Sequence, residues 1–193
     1  VHVTFGNVLG TDRKILKSRS GEPMKFAALL DEAIDRAGAA IAEKNPDLTP
    51  DERAAVAHMI GIGALKYAEL STDRVKDYVF DWDRMLSFDG NTGPYLQYAH
   101  ARICSIFRRA DIDRASVRGM ALVLDTPQER TLALRLLAYP TAIDSTLETY
   151  SPHKLCTYVY DLATDFTGFY DHCPVLKADE PIRSSRLALA DLT

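Results

Sequence analysis

Apolar residues in this chain recur at helical steps over most of its length. Leu29, Leu30, Ala33, Ile34, Ala37 and Ile41 follow three- and four-residue spacings, which predicts an amphipathic helix from about Phe26 to Glu43, ended by Asn45-Pro46. Thr49-Pro50-Asp51-Glu52 then has the form of a helix start. The threonine caps, the proline occupies a first-turn position that needs no N–H, and the glutamate three residues after the cap returns the hydrogen bond. This second helix is predicted to reach about Leu70, with Val56, Ile60, Gly63, Ala64 and Tyr67 on one side and glycines that admit a close neighbour. The start signal recurs at Thr126-Pro127-Gln128-Glu129, and in shorter form at Ser151-Pro152, each ahead of a long apolar-periodic segment. Further helices are predicted from about Pro94 to Ala110 and from Arg183 to Leu192. Tyr78-Val79-Phe80-Asp81-Trp82 alternates instead, as a short extended connection or buried elbow would. The expected fold class is therefore mainly α, a helical bundle after residue 25.

The first 25 residues differ. Val1, Val3 and Phe5 alternate like a strand, whose sheet partners are expected to precede Val1. Thr11-Asp12-Arg13-Lys14 makes a polar turn, and the loop that follows holds Arg13, Lys14, Lys17, Arg19 and Lys25 against the single acid Glu22, interleaved with Ser18, Ser20 and Gly21. Cations neutralise phosphoryl oxygens, and hydroxyls and a glycine-permitted backbone donate further hydrogen bonds, so such a loop fits phosphate; the plain alternative is a solvated loop.

Composition narrows the class. With 193 residues, 47% hydrophobic and 26% charged, the chain is an ordinary globular protein able to bury a sizeable core. A net charge of −4 excludes a generally basic coat, so any RNA contact must use a local patch. Cys104, Cys156 and Cys173 are widely spaced and form no Cys-x-x-Cys pair, which predicts neither a disulfide framework nor a zinc knuckle and suits a reducing, cytoplasmic setting. No run of about 18 apolar residues offers a membrane span. His153-x-x-Cys156 and His172-Cys173 match no standard zinc spacing and are assigned to helix packing or solvent, so no metal is expected. Trp82 and the stripe Tyr158, Leu162, Phe166 and Phe169 are assigned to the core.

The most informative stretch runs from Ser87 to Ile103, a glycine-rich turn feeding a helix. Pro94 in the first turn leaves backbone N–H groups near Tyr95, Gln97 and Tyr98 that suit phosphate, while tyrosine rings stack on unpaired bases and glutamine bonds a base edge. Arg102, Arg108, Arg109, Arg114 and Arg118 follow, opposed nearby only by Asp111 and Asp113. The other reading of Tyr95 and Tyr98, three residues apart, is a place in the core or at its boundary.

The segment Gly90-Asn91-Thr92-Gly93-Pro94-Tyr95-Leu96-Gln97-Tyr98-Ala99-His100-Ala101-Arg102 resembles the signature of the arginyl-tRNA synthetase anticodon-binding domain. The similarity keeps its order through Val3–Gly10, Lys17–Gly21, Ile62–Leu70, Phe80–Leu86 and His153–Leu176. It implies three regions: 1–25, the end of a class I catalytic domain with its ATP-site signature loop; 26–70, connecting helices; and 71–193, the helical anticodon-binding domain, truncated at its C-terminus. The resemblance assigns Lys17 as catalytic and Lys17, Ser18, Arg19 and Ser20 as contacts to ATP phosphates. It assigns Asn91, Tyr95, Gln97, Tyr98 and Arg102 to the tRNA. The implied parent joins L-arginine to arginine tRNA with ATP and Mg2+, as a monomer. Ser20 stands where the general signature Lys-Met-Ser-Lys-Ser has its second lysine, and Arg13 stands where a glycine is common. The His-x-Gly-His type motif and the arginine pocket lie outside these residues, so the isolated chain is expected to be inactive. The family continues past Arg183–Leu189 with another helix, so one anticodon contact is expected to be missing. Two rivals remain: a non-enzymatic helical interaction module binding a protein through Arg102–Arg118, and a stand-alone phosphate-binding enzyme using Lys17 and Arg19.

Overall fold

The computed structural model describes residues 2–15 and 25–193, so Lys17, Ser18, Arg19 and Ser20 lie outside the described residues. The chain divides into two compact units. One holds the residues up to Gln97 with Tyr150–Cys156, the other Tyr98–Thr149 with Thr157–Thr193.

In the first unit, β1 (Val8–Leu9) pairs in parallel with β2 (Tyr78–Val79), Val8 opposite Tyr78 and Leu9 opposite Val79. Tyr78 N donates to Asn7 O and Phe80 N to Leu9 O, both at 2.8 Å. Within the chain the paired strand is Val8–Leu9 and its partner lies downstream; residues 2–7 form no strand here, with Val3 and Phe5 exposed, and the partners expected for that segment precede Val1.

Helix α1 (Phe26–Lys44) buries Leu29, Ala33, Ala37 and Ile41, the stripe its periodicity predicts. Helix α2 (Pro50–Ser71) opens on the expected capping box, with Glu52 N donating to Thr49 Oγ1 and Thr49 N to Glu52 Oε2. Its buried face is Ala57, Gly61, Ala64 and Leu65, turned from the predicted one; Val56, Ile60 and Gly63 are half-buried. The close approach falls on Gly61, where a Cβ would stand 2.7 Å from the Ala33 carbonyl. Backbone contact with α1 therefore selects the smallest residues, which a search for large apolar side chains passes over.

Helix α3 (Trp82–Met85) is capped by Asp81, which accepts from Arg84 N at 3.1 Å. Leu29, Leu65, Phe80 and Met85 form a core cluster there. Trp82 packs edge-on to Phe80 at 4.7 Å with the Arg36 guanidinium 5.1 Å from its ring, and is half-buried rather than buried. Helix α4 (Gly93–Ala110) starts in this unit.

The second unit contains the rest of α4, a 3-10 turn (Arg114–Val117), α5 (Pro127–Leu137), α6 (Tyr139–Thr149), α7 (Pro152–His172) from Thr157 onward, and α8 (Ile182–Leu192). The long segment announced at Thr126 is two helices, because Pro140 lacks a donor N–H and its ring clashes with the carbonyl four residues back, so the helix ends and restarts at Tyr139. The stripe on α7 is core: Phe166 and Phe169 are fully buried, each stabilising by about 1.5 to 3 kcal/mol. Arg135 on α5 reaches Asp165 at 2.7 Å and Asp161 at 3.1 Å on α7. Glu129, wholly buried, closes the Thr126 capping box and accepts from Arg186 Nε of α8 at 2.6 Å.

Candidate nucleic-acid interface

The turn before α4 is held by hydrogen bonds that satisfy its polar groups internally. Thr92, buried, donates its hydroxyl to Ser87 O at 2.6 Å and accepts from Tyr95 N at 3.2 Å, so it is the cap of the helix. Pro94 is fully buried, and a Cβ on Gly93 would stand 2.8 Å from Gly63 O. The expected open helix start, with N–H groups facing phosphate, is therefore corrected: this N-terminus is capped and packed on α2.

The Tyr67 hydroxyl sits 2.6 Å from Asn91 Oδ1 and 3.0 Å from the Cys156 carbonyl, so exposed Asn91 is tethered to α2. Gln97 Nε2 donates to Met59 O at 3.0 Å, which engages its amide on α2. Tyr95 is half-buried. These three belong to the first unit.

Tyr98 and Arg102, one turn apart on α4, belong to the second unit and come together. Tyr98 is 48% exposed despite its size, which leaves an aromatic face in solvent. The Arg102 guanidinium lies 4.8 Å from the centroid of Tyr98 and 4.7 Å from that of Tyr170 on α7. Two rings against one guanidinium hold it by cation–π attraction, and its planar fork carries five N–H donors. Beside it is a cavity of about 340 Å³ lined by Ile106, Arg109, Tyr170, Pro174, Val175 and Lys177. Apolar residues, one aromatic ring and two cations in one lining are the contacts that a planar group carrying phosphate requires. Tyr170 escaped the sequence reading; its one signal is a place four residues after Phe166, at the edge of the core stripe.

The basic patch is smaller than expected. Arg114 and Arg118 both pair with Asp191 of α8, at 2.6 and 3.3 Å, so one of their two charges is offset by a residue far off in sequence. Arg108 and Arg109, on the last turn of α4, are exposed. Cys173 is buried with Sγ 3.2 Å from Thr126 Oγ1, His172 Nδ1 is 2.9 Å from Gly168 O, and His153 Nδ1 is 3.9 Å from Asp73.

Comparison with known proteins matches the two ends of the chain to different families. Residues 96–193 match the DALR anticodon binding domain, and residues 1–82 match the catalytic domain of class I (R) tRNA synthetases. The whole chain is 56% identical to 34% of the arginine–tRNA ligase of Thermobifida fusca, and 51% identical to 33% of that of Erwinia tasmaniensis. The chain thus spans about a third of the length of these curated relatives. Among solved structures, Thermus thermophilus arginyl-tRNA synthetase superposes with a TM-score of 0.82 at 35% identity, over 99% of this chain and 32% of that one. The enzyme of Plasmodium falciparum gives 0.81 at 32% identity, with the same coverage. With residues 96–193, just over half of its length, matched to that model, the chain belongs to the DALR anticodon-binding domain family.

Proposed function

We propose that this chain is the tRNA-recognising part of an arginine–tRNA ligase, and that its second unit holds the anticodon arm of arginine tRNA. The observation that carries the reading is the Tyr98–Arg102–Tyr170 cluster: an exposed ring, a guanidinium held against it and against a second ring, on the domain matched to the anticodon-binding family. Stacking on Tyr98 holds an unpaired base at about 1 to 3 kcal/mol, and the in-plane donors of Arg102 meet a base edge or phosphate. Asn91, Tyr95 and Gln97 act one step back. Gln97 and Asn91, bonded to α2, set where the turn and the first turn of α4 stand.

The parent activates L-arginine with ATP and Mg2+ and passes it to the tRNA, working as a monomer in the cytoplasm. Lys17, with Ser18, Arg19 and Ser20, neutralises the phosphates of ATP as pyrophosphate departs. The charge of that segment and its place in the synthetase-matched residues support this assignment. The chain alone does not aminoacylate, since it spans only about a third of the matched relatives' length. The test is titration of this chain with arginine tRNA, the same tRNA with altered anticodon bases, and an unrelated tRNA. Selective binding that Tyr98→Ala and Arg102→Ala remove supports the reading, and indifference to the anticodon refutes it.

A further inference from the structure

A second arginine grips the turn that lines the cavity beside Tyr170. Arg186 of α8 has a side chain only 12% exposed and spends it in two directions. Its Nε donates to Glu129 Oε1 at 2.6 Å, and its Nη1 donates to the carbonyl of Pro174 at 2.9 Å. Glu129 is wholly buried and is itself fixed by the capping box, its Oε2 accepting from Thr126 N at 2.8 Å. Thr126 Oγ1 in turn meets Cys173 Sγ at 3.2 Å. The turn after α7 is therefore pinned at two successive residues, Cys173 through Thr126 and Pro174 through Arg186, to one rigid corner where α5 begins. That turn supplies Pro174, Val175 and Lys177 to the cavity beside Arg102, and Tyr170 lies in the helical turn directly before it.

We infer that Arg186 is a positioning residue for RNA selectivity: by bridging Glu129 and the Pro174 carbonyl it fixes the wall of the cavity beside Tyr170, and so which base fits there. The inference rests on the anticodon-arm reading given above. A guanidinium suits the bridge because Nε and Nη1 donate from two fixed places in one plane, whereas the three donors of an ammonium share one nitrogen at the end of a flexible stem and cannot stand in both places. Lysine at this position keeps the charge that Glu129 needs but leaves one of the two acceptors without its donor.

The experiment compares the chain as it stands with Arg186→Lys, and with Leu132→Ala as a control of similar effect on stability. Leu132 is fully buried on α5 and lines no part of the cavity. Each protein is checked for folding by far-UV circular dichroism, then titrated with arginine tRNA and with the same tRNA altered in the anticodon. The ratio of the two dissociation constants is the readout, because a purely structural loss lowers both affinities together. Arg186→Lys is expected to lower that ratio about tenfold, the scale of one misplaced hydrogen-bonded contact, while Leu132→Ala leaves it unchanged. An unchanged ratio in Arg186→Lys overturns the inference. So does failure of Arg186→Lys to fold, which makes the residue a structural one, and so does an equal fall in both variants. If the unaltered chain shows no preference between the two tRNAs, the anticodon reading itself fails; if it does and Arg186→Lys keeps it, only this inference fails.

Discussion

The packing of α1 on α2 makes two glycine substitutions, both inside helices, change stability in opposite directions. In an exposed helix, alanine is favoured over glycine by about 1 kcal/mol, because glycine loses more backbone freedom on folding. At Gly38 the added methyl meets only the Ala57 Cβ, at 3.6 Å, an ordinary contact, so Gly38→Ala should stabilise by about 0.5 to 1 kcal/mol. At Gly61 the same methyl would stand 2.7 Å from the Ala33 carbonyl carbon and oxygen and 2.8 Å from Ile34 N. Carbon atoms pack best at about 3.5 to 4.0 Å, so α1 must move by close to an ångström, and the blocking atoms are backbone that no rotamer change removes. That shift carries Leu29, Ala33, Ala37 and Ile41 with it. Overpacking costs about 1 to 3 kcal/mol, and with backbone in the way the upper half of that range applies, so after the helix gain of about 1 kcal/mol Gly61→Ala is left about 1 to 2 kcal/mol less stable. For a chain of this size, that lowers the melting temperature by roughly 2 to 8 °C. Trp82, the single tryptophan, packs on Phe80 in the same unit, so its fluorescence during urea unfolding reports the affected part directly. If both substitutions stabilise, or both destabilise equally, the close contact at Gly61 is not what selects glycine there.

Thr49→Ala and Thr126→Ala each remove a capping box and are expected to cost about 1 kcal/mol, the second more because its partner Glu129 is buried; equal midpoints in urea would contradict that ranking. Acid should weaken the second unit. Burial works to raise the Glu129 and Asp191 carboxyls, but hydrogen bonds from Thr126 and Arg186 to the first, and from Arg114 and Arg118 to the second, outweigh it and hold both below the usual carboxylate range. A carboxyl lowered on folding takes up its proton more readily when unfolded, so this stability is present above about pH 4 and is lost as pH falls through the folded values. Circular-dichroism melts below pH 4 should show the loss, and Asp191→Asn should flatten it; melting that does not change with pH in that range refutes the assignment.

What was legible in the sequence was local. The capping signals at Thr49, Thr126 and Ser151, the stripe on α1 and the core face of α7 depend on residues within a turn or two of each other, and each stands where its spacing puts it. Pro140 also carried a local signal, and the break it imposes before α6 was readable in principle. The pairing of β1 with β2, the ion pairs of Arg114 and Arg118 with the one carboxylate of Asp191, and the ring of Tyr170 against Arg102 join residues remote in the chain. No periodicity encodes such contacts. The site divides the same way: Tyr98 and Arg102 were assigned through the resemblance, spacing alone leaving Tyr98 between core and surface, and the cap at Thr92 is a contact within three residues, whereas the engagement of Gln97 by Met59 depends on how closely α4 meets α2 at Gly63.

The most direct test of the central claim is fluorescence titration of this chain with arginine tRNA, anticodon-altered arginine tRNA and an unrelated tRNA at several salt concentrations. The account predicts that arginine tRNA binds best, that its advantage disappears with the anticodon change, and that Tyr98→Ala or Arg102→Ala weakens it by about 5- to 150-fold, the range of one stacked base. Equal affinity for all three RNAs, with a steep common dependence on salt, would show a charge-only contact and contradict the assignment of this domain to anticodon recognition.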